Sequence, residues 1–491
     1  MVELEIKFQL DAEAVRRWRR ALTAQGASTE RLRAIYVDTD DSRLAQARVA
    51  LRLRREGPRW VQTLKAEGAS AIHRLEHEVT LPDRGHAPPA LDITRHAGSD
   101  AHARLQAALA GAPPDALRTR FETDVRRLKL RVQTADGSDI EIALDIGAVR
   151  AGGRSAPIAE LELEHKGGPQ SGLFLVACDV VEAGSLWLST VSKAERGERL
   201  RLAQSDLATK AAPMPRLRHS DGAAWLRAAL HNVLAHILPN ASAVAAGSHD
   251  PEQIHQLRVG LRRLRTVVRE LAALSDAIDP AWESSLRECF VRLGEQRDSE
   301  AVADTVRRLL KAAQSPAVAL PPAPAVDTAA AVRMPALQLT LIHALALAHA
   351  PDAAFAPLTR NALKTLIAAR LQRLHRQVLR DGRRFDELEG DRAHRVRKRL
   401  KRLRYLAELA QTLWPHKAVA RFVAQLEPAQ DALGAHNDIA VAARALDAQT
   451  GSDPASRAAA ELLAAQQRKT RRHARAALRR LPRDKVFWTT R

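Results

Sequence analysis

Hydrophobic and polar residues alternate strictly at the start of the chain, with Val2, Leu4, Ile6 and Phe8 on one side and Glu3, Glu5 and Lys7 on the other. A repeat of two is that of a β-strand, so residues 2–10 read as a strand with one oily and one ionic face. The alternation returns at 50–55 with Arg52 and Arg54, at 127–132 with Arg127, Lys129 and Arg131, at 139–146 with Glu141 and Asp145, and at 159–164 with Glu160, Glu162 and Glu164. Stretches of helical period lie between them, at about residues 11–24, 100–109 and 171–183. The ordinary meaning of such alternation is an antiparallel sheet with its charged side in water. Here carboxylates gather on some strands and Arg or Lys on others. About eight such strands, closed on themselves, would form a lumen that holds a metal and an anion together.

Beyond residue 215 the period becomes helical and the chain repeats itself. His255, Arg258, Arg262 and Arg265 fall at i, i+3, i+7 and i+10, and His394, Arg397, Lys401 and Arg404 do the same. Leu293-Gly294 with Asp298 returns as Leu433-Gly434 with Asp438, while Arg297 becomes Asn437, and matching separations from histidine to aspartate, 43 and 44 residues, mark an internal duplication. Each basic set forms one stripe along a helix, whereas Leu257, Leu261, Leu264 and Val268 line another face suited to packing in a bundle. Asp250-Pro251 suits the start of that helix. Two repeated rows of like charge suggest a site for an extended anion. The alternative is that the arginines pair with acids such as Asp298 and Asp438 and that the histidines are core or capping residues. Zinc is not expected, because neither copy clusters ligands at zinc spacing.

Pro/Ala-rich stretches divide the chain: residues 203–218 read as a linker, and Ser315 to Pro335, with Pro321, Pro322 and Pro324, interrupts helix between two helical halves. Charge sharpens this division. Of 77 Lys plus Arg and 57 Asp plus Glu, residues 1–200 hold 30 and 29, leaving 47 and 28 for the rest, so nearly all of the net +20 lies in the second part. A basic domain of this kind attracts polyanions. Two cysteines, Cys178 and Cys289, imply no disulfide framework. The ionic residues 2–10 do not read as an export signal, and residues 336–350 are interrupted by Gln338, His343 and His349 and are too short to span a bilayer. A cytoplasmic protein without membrane attachment is expected.

The first part resembles the CYTH, or triphosphate tunnel metalloenzyme, family. Glu3-Leu4-Glu5-Ile6-Lys7 is similar to its ExExK signature. In the expected order follow Tyr36-Val37-Asp38-Thr39, Leu51-Arg52-Leu53-Arg54, Thr63-Leu64-Lys65, Arg74-Leu75-Glu76, Leu144-Asp145-Ile146-Gly147, Glu160 to Glu164, and Ser192-Lys193-Ala194-Glu195-Arg196-Gly197. The resemblance implies an eight-stranded antiparallel tunnel that binds a triphosphate with divalent metal and hydrolyses or rearranges it. It makes Glu3, Glu5, Asp145, Glu160, Glu162 and Glu164 the metal-side candidates, since Mg²⁺ prefers carboxylate and phosphate oxygens. Arg52, Arg54, Lys65 and Lys193, with Lys7, Arg74, Arg120 and Arg196, would grip phosphate. Glu3, Glu5 and Lys7 are expected at the centre of catalysis.

The repeats resemble the CHAD family, which implies two pseudo-symmetric helical bundles with a basic groove for inorganic polyphosphate. The groove residues would be His255, Arg258, Arg262, Arg265, His394, Arg397, Lys401 and Arg404. The expected architecture is therefore multidomain α+β: a tunnel domain at 1–202 with flanking helices, and an all-α domain at 219–481 with repeats at about 219–314 and 336–481. The expected activity is that of an inorganic triphosphatase using Mg²⁺ or Mn²⁺, with tripolyphosphate as substrate and polyphosphate as partner, in the cytoplasm and in association with polyphosphate granules. The alternatives are a non-catalytic polyphosphate-binding protein, or an enzyme acting on thiamine triphosphate or nucleoside triphosphates, cyclisation included. Sparse aromatics, two Tyr among them, tilt the reading away from base stacking and from nucleic acid.

Overall fold

The computed structural model describes the chain except residues 1, 83–86, 114, 205–206, 218–220, 316–317, 319–323, 389, 448–453, 483–485 and 490–491, and the side chains of 2, 296, 297, 447 and 454. Pro321, Pro322 and the expected boundary at 218–219 lie outside the described residues. Two compact units result. The first holds residues 1–210, 234–257 and 332–349, the second 211–233, 258–331 and 350–491.

In the first unit the order is β1 (Val2–Leu10), α1 (Ala12–Ala24), β2 (Ser28–Asp38), α2 (Arg43–Gln46), β3 (Val49–Glu56), β4 (Arg59–Glu67) and β5 (His73–Leu81). Then come α3 (Asp100–Ala108), β6 (Arg118–Gln133), β7 (Asp139–Ala151), β8 (Arg154–Gly167), α4 (Ser171–Glu182), β9 (Leu186–Leu188) and α5 (Lys193–Leu202). The sheet runs β5-β4-β3-β2-β6-β7-β8-β1 and closes where β5 pairs with β1, giving an antiparallel barrel of eight strands. β9 adds to the other end of the same β1 edge, opposite residues 8–10.

The alternation is used inside out. Leu4, Ile6, Phe8 and Leu10 are at most 6% exposed and face outward, where α1, α3 and α4 cover the barrel wall. Burying such side chains contributes about 1.5–3 kcal/mol each. Their ionic neighbours are thereby turned into the lumen. The Asp38 carboxylate accepts the N–H groups of Thr39, Leu44 and Ala45 at 2.7, 2.9 and 2.9 Å, so it organises the turn after β2 and is not free for a ligand.

The remaining helices are α6 (Gly222–Ala245), α7 (Pro251–Leu271), α8 (Trp282–Ala312), α9 (Thr328–Arg333), α10 (Pro335–His349), α11 (Arg360–Arg383), α12 (Gly390–Leu409), α13 (His416–Asp447) and α14 (Pro454–Arg479). α10 belongs to the first unit, where buried Gln338 accepts the Leu188 N–H at 2.8 Å and donates to Val332 O at 2.7 Å. In the second unit Leu257's neighbours on the apolar face of α7, Leu261 and Leu264, are fully buried, as the helical period requires. α7 begins at Pro251, and the Asp250 carboxylate caps it by accepting the Glu252 N–H at 2.6 Å. Trp488 packs edge-on to Phe422 and Phe487 at 4.8 Å and donates its indole N–H to Gln372 at 2.8 Å, tying the end of the chain to the bundle. Among the described residues no helix is long and apolar enough to cross a membrane.

Candidate functional site: an ionic lumen and a basic helix pair

Strand register decides which charges meet. Across β1 and β8, Glu5 faces Glu164, Lys7 faces Glu162 and Gln9 faces Glu160. Across β7 and β8, Asp145 faces Glu160. Arg127 of β6 faces Asp145, Arg52 of β3 faces Thr63 of β4, and Lys65 faces Glu76 of β5. These paired residues are thus placed on one inner surface.

The pairs are tight and partly dry. Lys193 Nζ lies 2.7 Å from Asp145 and 2.8 Å from Glu162, and also contacts Glu160. Arg127 bridges Asp145 at 2.6 Å and Glu162 at 2.5 Å. Lys7 lies 3.1 Å from Glu162 and 3.5 Å from Glu5. On the opposite wall Lys65 holds Glu3 at 2.8 Å and Glu76 at 3.1 Å, and Arg54 pairs with Glu56 and, at 3.2 Å, with Glu78. Arg52 donates to the Tyr36 hydroxyl at 3.1 Å. Arg196 sits 3.7 Å from Glu160, and Arg74 faces Glu3 across the β1–β5 pairing.

Titration follows from this crowding. Burial pushes Glu5 up, and Glu162 and Glu3 add to the push against the pull of Lys7. Burial likewise raises Glu76 to about 8, aided by the hydrogen bond it shares with Glu3, and burial with nearby Glu3 raises Glu164 to about 7. Glu3 shows the opposite outcome: burial would raise it, but Lys65 and the bond from the Glu76 carboxyl hold it at about 2. Glu162 is burdened by burial too, yet Lys193, Lys7 and Arg127 keep it well below the usual carboxylate range. Some of the carboxylates are therefore held ionised, while others lack enough positive charge.

That deficit tests the fit of a divalent cation. Asp145, Glu160 and Glu162 offer oxygens within 4.8 Å of one another, and Glu5 and Glu164 are neighbours whose ionisation a cation would favour. The donors are hard oxygens of the kind that Mg²⁺ or Mn²⁺ takes, so the set fits such an ion. Lys193 already sits among the first three, and its ammonium competes for the same oxygens.

α5 positions that lysine. Ser192 and Glu195 form a reciprocal capping box, with the Ser192 hydroxyl accepting from Glu195 N at 3.1 Å and the Glu195 carboxylate accepting from Ser192 N at 2.8 Å. Lys193 therefore projects from the first turn. Farther along, α5 seals one end of the lumen. Tyr36 and Phe121 stack there at 4.7 Å among Leu32, Val125, Val149 and Ile158, with Ala194 and Leu200 packed on them. Gly197 is required by this closure, since a Cβ there would stand 2.1 Å from the Phe121 ring.

Arg120 is not brought to the lumen acids. It is the extra residue of a bulge, because Tyr36 pairs with Phe121 and Val37 with Thr119, and its guanidinium lies 2.6 Å from Asp40. Glu164 pairs with Lys166. Sequence reasoning passed over Glu76, Glu78, Arg127 and Tyr36 as site residues. Their strand parity relative to Arg74, Asp145 and Arg52 was the available signal.

In the second unit the basic stripes split. Arg258, Arg262, Arg397 and Lys401 gather: Arg262 and Arg397 each depress the titration of Lys401, and Arg262 donates to the Tyr405 hydroxyl at 3.2 Å. Arg258 and Arg262 lie over the same Phe290 ring at 4.7 and 5.3 Å. Arg258 also grips Asp298 through two bonds of 3.0 Å. Arg265 is taken up by Glu283 at 2.8 Å, and Arg404 by Glu408 at 2.7 Å. His394 bonds Asn437 at 2.8 Å, whereas His255 falls in the part of α7 that belongs to the first unit and is half-buried.

Comparison with known proteins matches two families in succession along the sequence. The CYTH domain family matches residues 1–197 and the CHAD domain family residues 228–447. An inorganic triphosphatase of Haemophilus influenzae is 31% identical over 165 residues, covering 33% of this chain and 44% of that protein, so the match spans less than half of the relative's length. The CHAD domain from Ricinus communis is 27% identical, covering 57% of this chain and 98% of that one at a TM-score of 0.45. A putative adenylyl cyclase from Hippeastrum, whose structure is described as revealing a dominant triphosphatase activity, is 19% identical, covering 40% of this chain and 96% of that one at a TM-score of 0.28. The chain thus joins a member of the CYTH family, at residues 1–197, to a member of the CHAD family, at residues 228–447.

Proposed function

We propose that the protein is a metal-dependent inorganic triphosphatase, with a tunnel domain over residues 1–202 and a polyphosphate-binding helical domain over 219–481. The observation that carries this reading is the convergence of Lys65, Arg52, Lys193 and Arg127 with Glu3, Glu5, Asp145, Glu160 and Glu162 inside one closed barrel. A linear triphosphate is a dense anion that this inner surface can hold from several sides. Arg52 and Arg54 would grip non-bridging oxygens through their forks, and Lys65, Lys193 and Arg196 would supply point charges, each such bond worth about 1.5–3 kcal/mol. Lys7, pushed up by Glu5 and Glu162 against burial, stays charged throughout.

Asp145, Glu160 and Glu162, with Glu5, Glu3 and Glu164, would hold Mg²⁺ or Mn²⁺. When bound, such an ion neutralises charge that develops on the phosphoryl oxygens. The contribution of the chain's own residues is placement. Closure at Tyr36 and Phe121 stops the anion at a fixed depth, and the paired cations keep their geometry before it arrives. In the helical domain Arg258, Arg262, Arg397 and Lys401 would form the anion site, and the likeness of part of the chain to an inorganic triphosphatase of Haemophilus influenzae supports that activity.

Phosphate release from tripolyphosphate, thiamine triphosphate, ATP and long polyphosphate, each with Mg²⁺ or Mn²⁺, tests the reading. Turnover of tripolyphosphate that Glu5→Ala abolishes is expected. Equal, negligible turnover by wild type and variant would leave only a binding protein.

A further inference from the structure

The two copies of the basic stripe differ at one position, where Lys401 stands in place of the Arg262 type. Lys401 is half-buried on α12, one turn beyond Arg397. Arg262 of α7 reaches α12 at the Tyr405 hydroxyl, one turn beyond Lys401, and Arg262, Arg397 of its own helix and Arg258 all act on the ammonium. Asp438 of α13 is the acid that acts on it, at longer range than an ion pair. Asp298 of α8 is committed to Arg258. Gly294 leaves the room for that pair, since a Cβ there would stand 2.6 Å from the Arg258 guanidinium. Tyr405 spends its hydroxyl on Arg262. His394 is held below its ordinary value by burial, with Lys398, Arg397 and Arg444 adding to the effect.

An ammonium set among guanidiniums and partly removed from water loses its proton readily, because burial and like charge both disfavour the charged form. Arginine in that place would keep its charge at any physiological pH. A bound polyanion reverses the local field and restores the proton. We propose that polyphosphate binding by the helical domain is coupled to uptake of one proton at Lys401, so that the site tightens as the medium acidifies from pH 8 to pH 6. This deepens the polyphosphate reading and rests on it. The free group titrates at about 7. If it stays charged in the complex, linkage gives a change of about tenfold in affinity over those two units.

The test is calorimetric titration with long-chain polyphosphate, whose internal groups remain ionised throughout, at constant ionic strength with a chelator present, for wild type, Lys401→Arg and Lys401→Met. Wild type should bind about tenfold more weakly at pH 8 than at pH 6. Lys401→Arg should bind tightly at both, and Lys401→Met should bind more weakly than wild type at both, without the wild-type pH dependence. Lys401→Arg retaining the full wild-type pH dependence would overturn the proton linkage and leave polyphosphate binding in place. Absence of binding by wild type and Lys401→Arg at pH 6 would overturn the polyphosphate reading itself.

Discussion

The lumen and the helical cluster are both built from buried and half-buried charge, yet they balance it differently. In the lumen nearly every cation named above has a carboxylate within ion-pair distance, and Lys193 alone reaches Asp145, Glu160 and Glu162. In the cluster, Arg262, Arg397 and Lys401 face one another, and the Asp298 carboxylate is spent on Arg258. The lumen is close to neutral and preorganised, so it asks for a small multivalent ligand pair, an anion with its metal. The cluster carries surplus positive charge and is relieved by an anion alone. Removing one charge should therefore act in opposite directions in the two regions.

The largest effect is expected from Glu162→Gln. Glu162 bears on Lys7, Lys193 and Arg127 together, and removing one partner from a buried ionic network commonly costs about 3–5 kcal/mol because the other charges stay behind. Urea unfolding should show a loss of about 3 kcal/mol, and tripolyphosphate turnover should fall by about 10²–10³-fold. An unchanged unfolding midpoint would mean that the lumen is not preorganised in this sense.

Gly197→Ala comes next. Its Cβ must displace Phe121 or α5, which costs about 1–3 kcal/mol by overpacking. Because Lys193 rides on the same helix, the shift should also reach Asp145 and Glu160 and lower turnover about 10²-fold. Turnover that stays at the wild-type level with reduced stability would separate the seal from the site.

How much of this contrast was legible beforehand depended on which faces of an element are buried. Residues 2–10 were read as a strand because one face is oily and the other ionic, and β1 spans Val2–Leu10. β4 escaped the same reading because Trp60, Val61, Gln62, Thr63 and Leu64 are all buried, which erases the alternation. β2 turns Leu32, Ala34 and Tyr36 into the sealed end of the lumen, so its inner face is apolar where an ionic one was sought. Arg127 was noticed as part of a charged face, but only the register against Asp145 shows that it bridges Asp145 and Glu162. The splitting of the basic stripes had a local signal only at Arg404, whose acid Glu408 lies four residues on along the same helix. Arg265 and Arg404 repeat as regularly as Arg262 and Arg397, and their acids, Glu283 and Glu408, are set by packing and by the next helical turn.

Acidity separates the regions again, more gently. Glu76 titrates at about 8 in the fold against an ordinary value near 4.5. From pH 4.5 upward the unfolded chain has released this proton while the fold retains it, so the lumen's contribution to stability is lost as pH rises towards 8. Lys401 has the reverse sign: lowered to about 7, it lets the fold shed a proton that the unfolded chain keeps, so stability rises from pH 7 towards 10.5. Unfolding midpoints measured from pH 5 to 10 should show Glu76→Gln removing part of the first slope and Lys401→Met part of the second. Mg²⁺ should flatten the first slope alone, and a metal effect on the second would blur the distinction.

The smallest effect carries the sharpest sign. Lys401→Met removes an ammonium from the company of Arg262, Arg397 and Arg258 and, among the described residues, leaves no ion-paired carboxylate stranded, because Asp438 acts on it without forming an ion pair. The methionine stem fills similar space, and what disappears is repulsion. Repulsion between half-buried like charges near solvent is screened, so the gain should be a few tenths of a kcal/mol, up to about 1 kcal/mol. At pH 6, where the ammonium is fully formed, the variant should unfold at slightly higher urea than wild type while binding polyphosphate less well. As pH rises past 7 the difference should shrink, closing only towards pH 10.5, where the unfolded chain also sheds the proton. A destabilisation at pH 6 comparable with that of Glu162→Gln would show that the cluster, like the lumen, is held together by its charges, and the comparison between the two regions would fall.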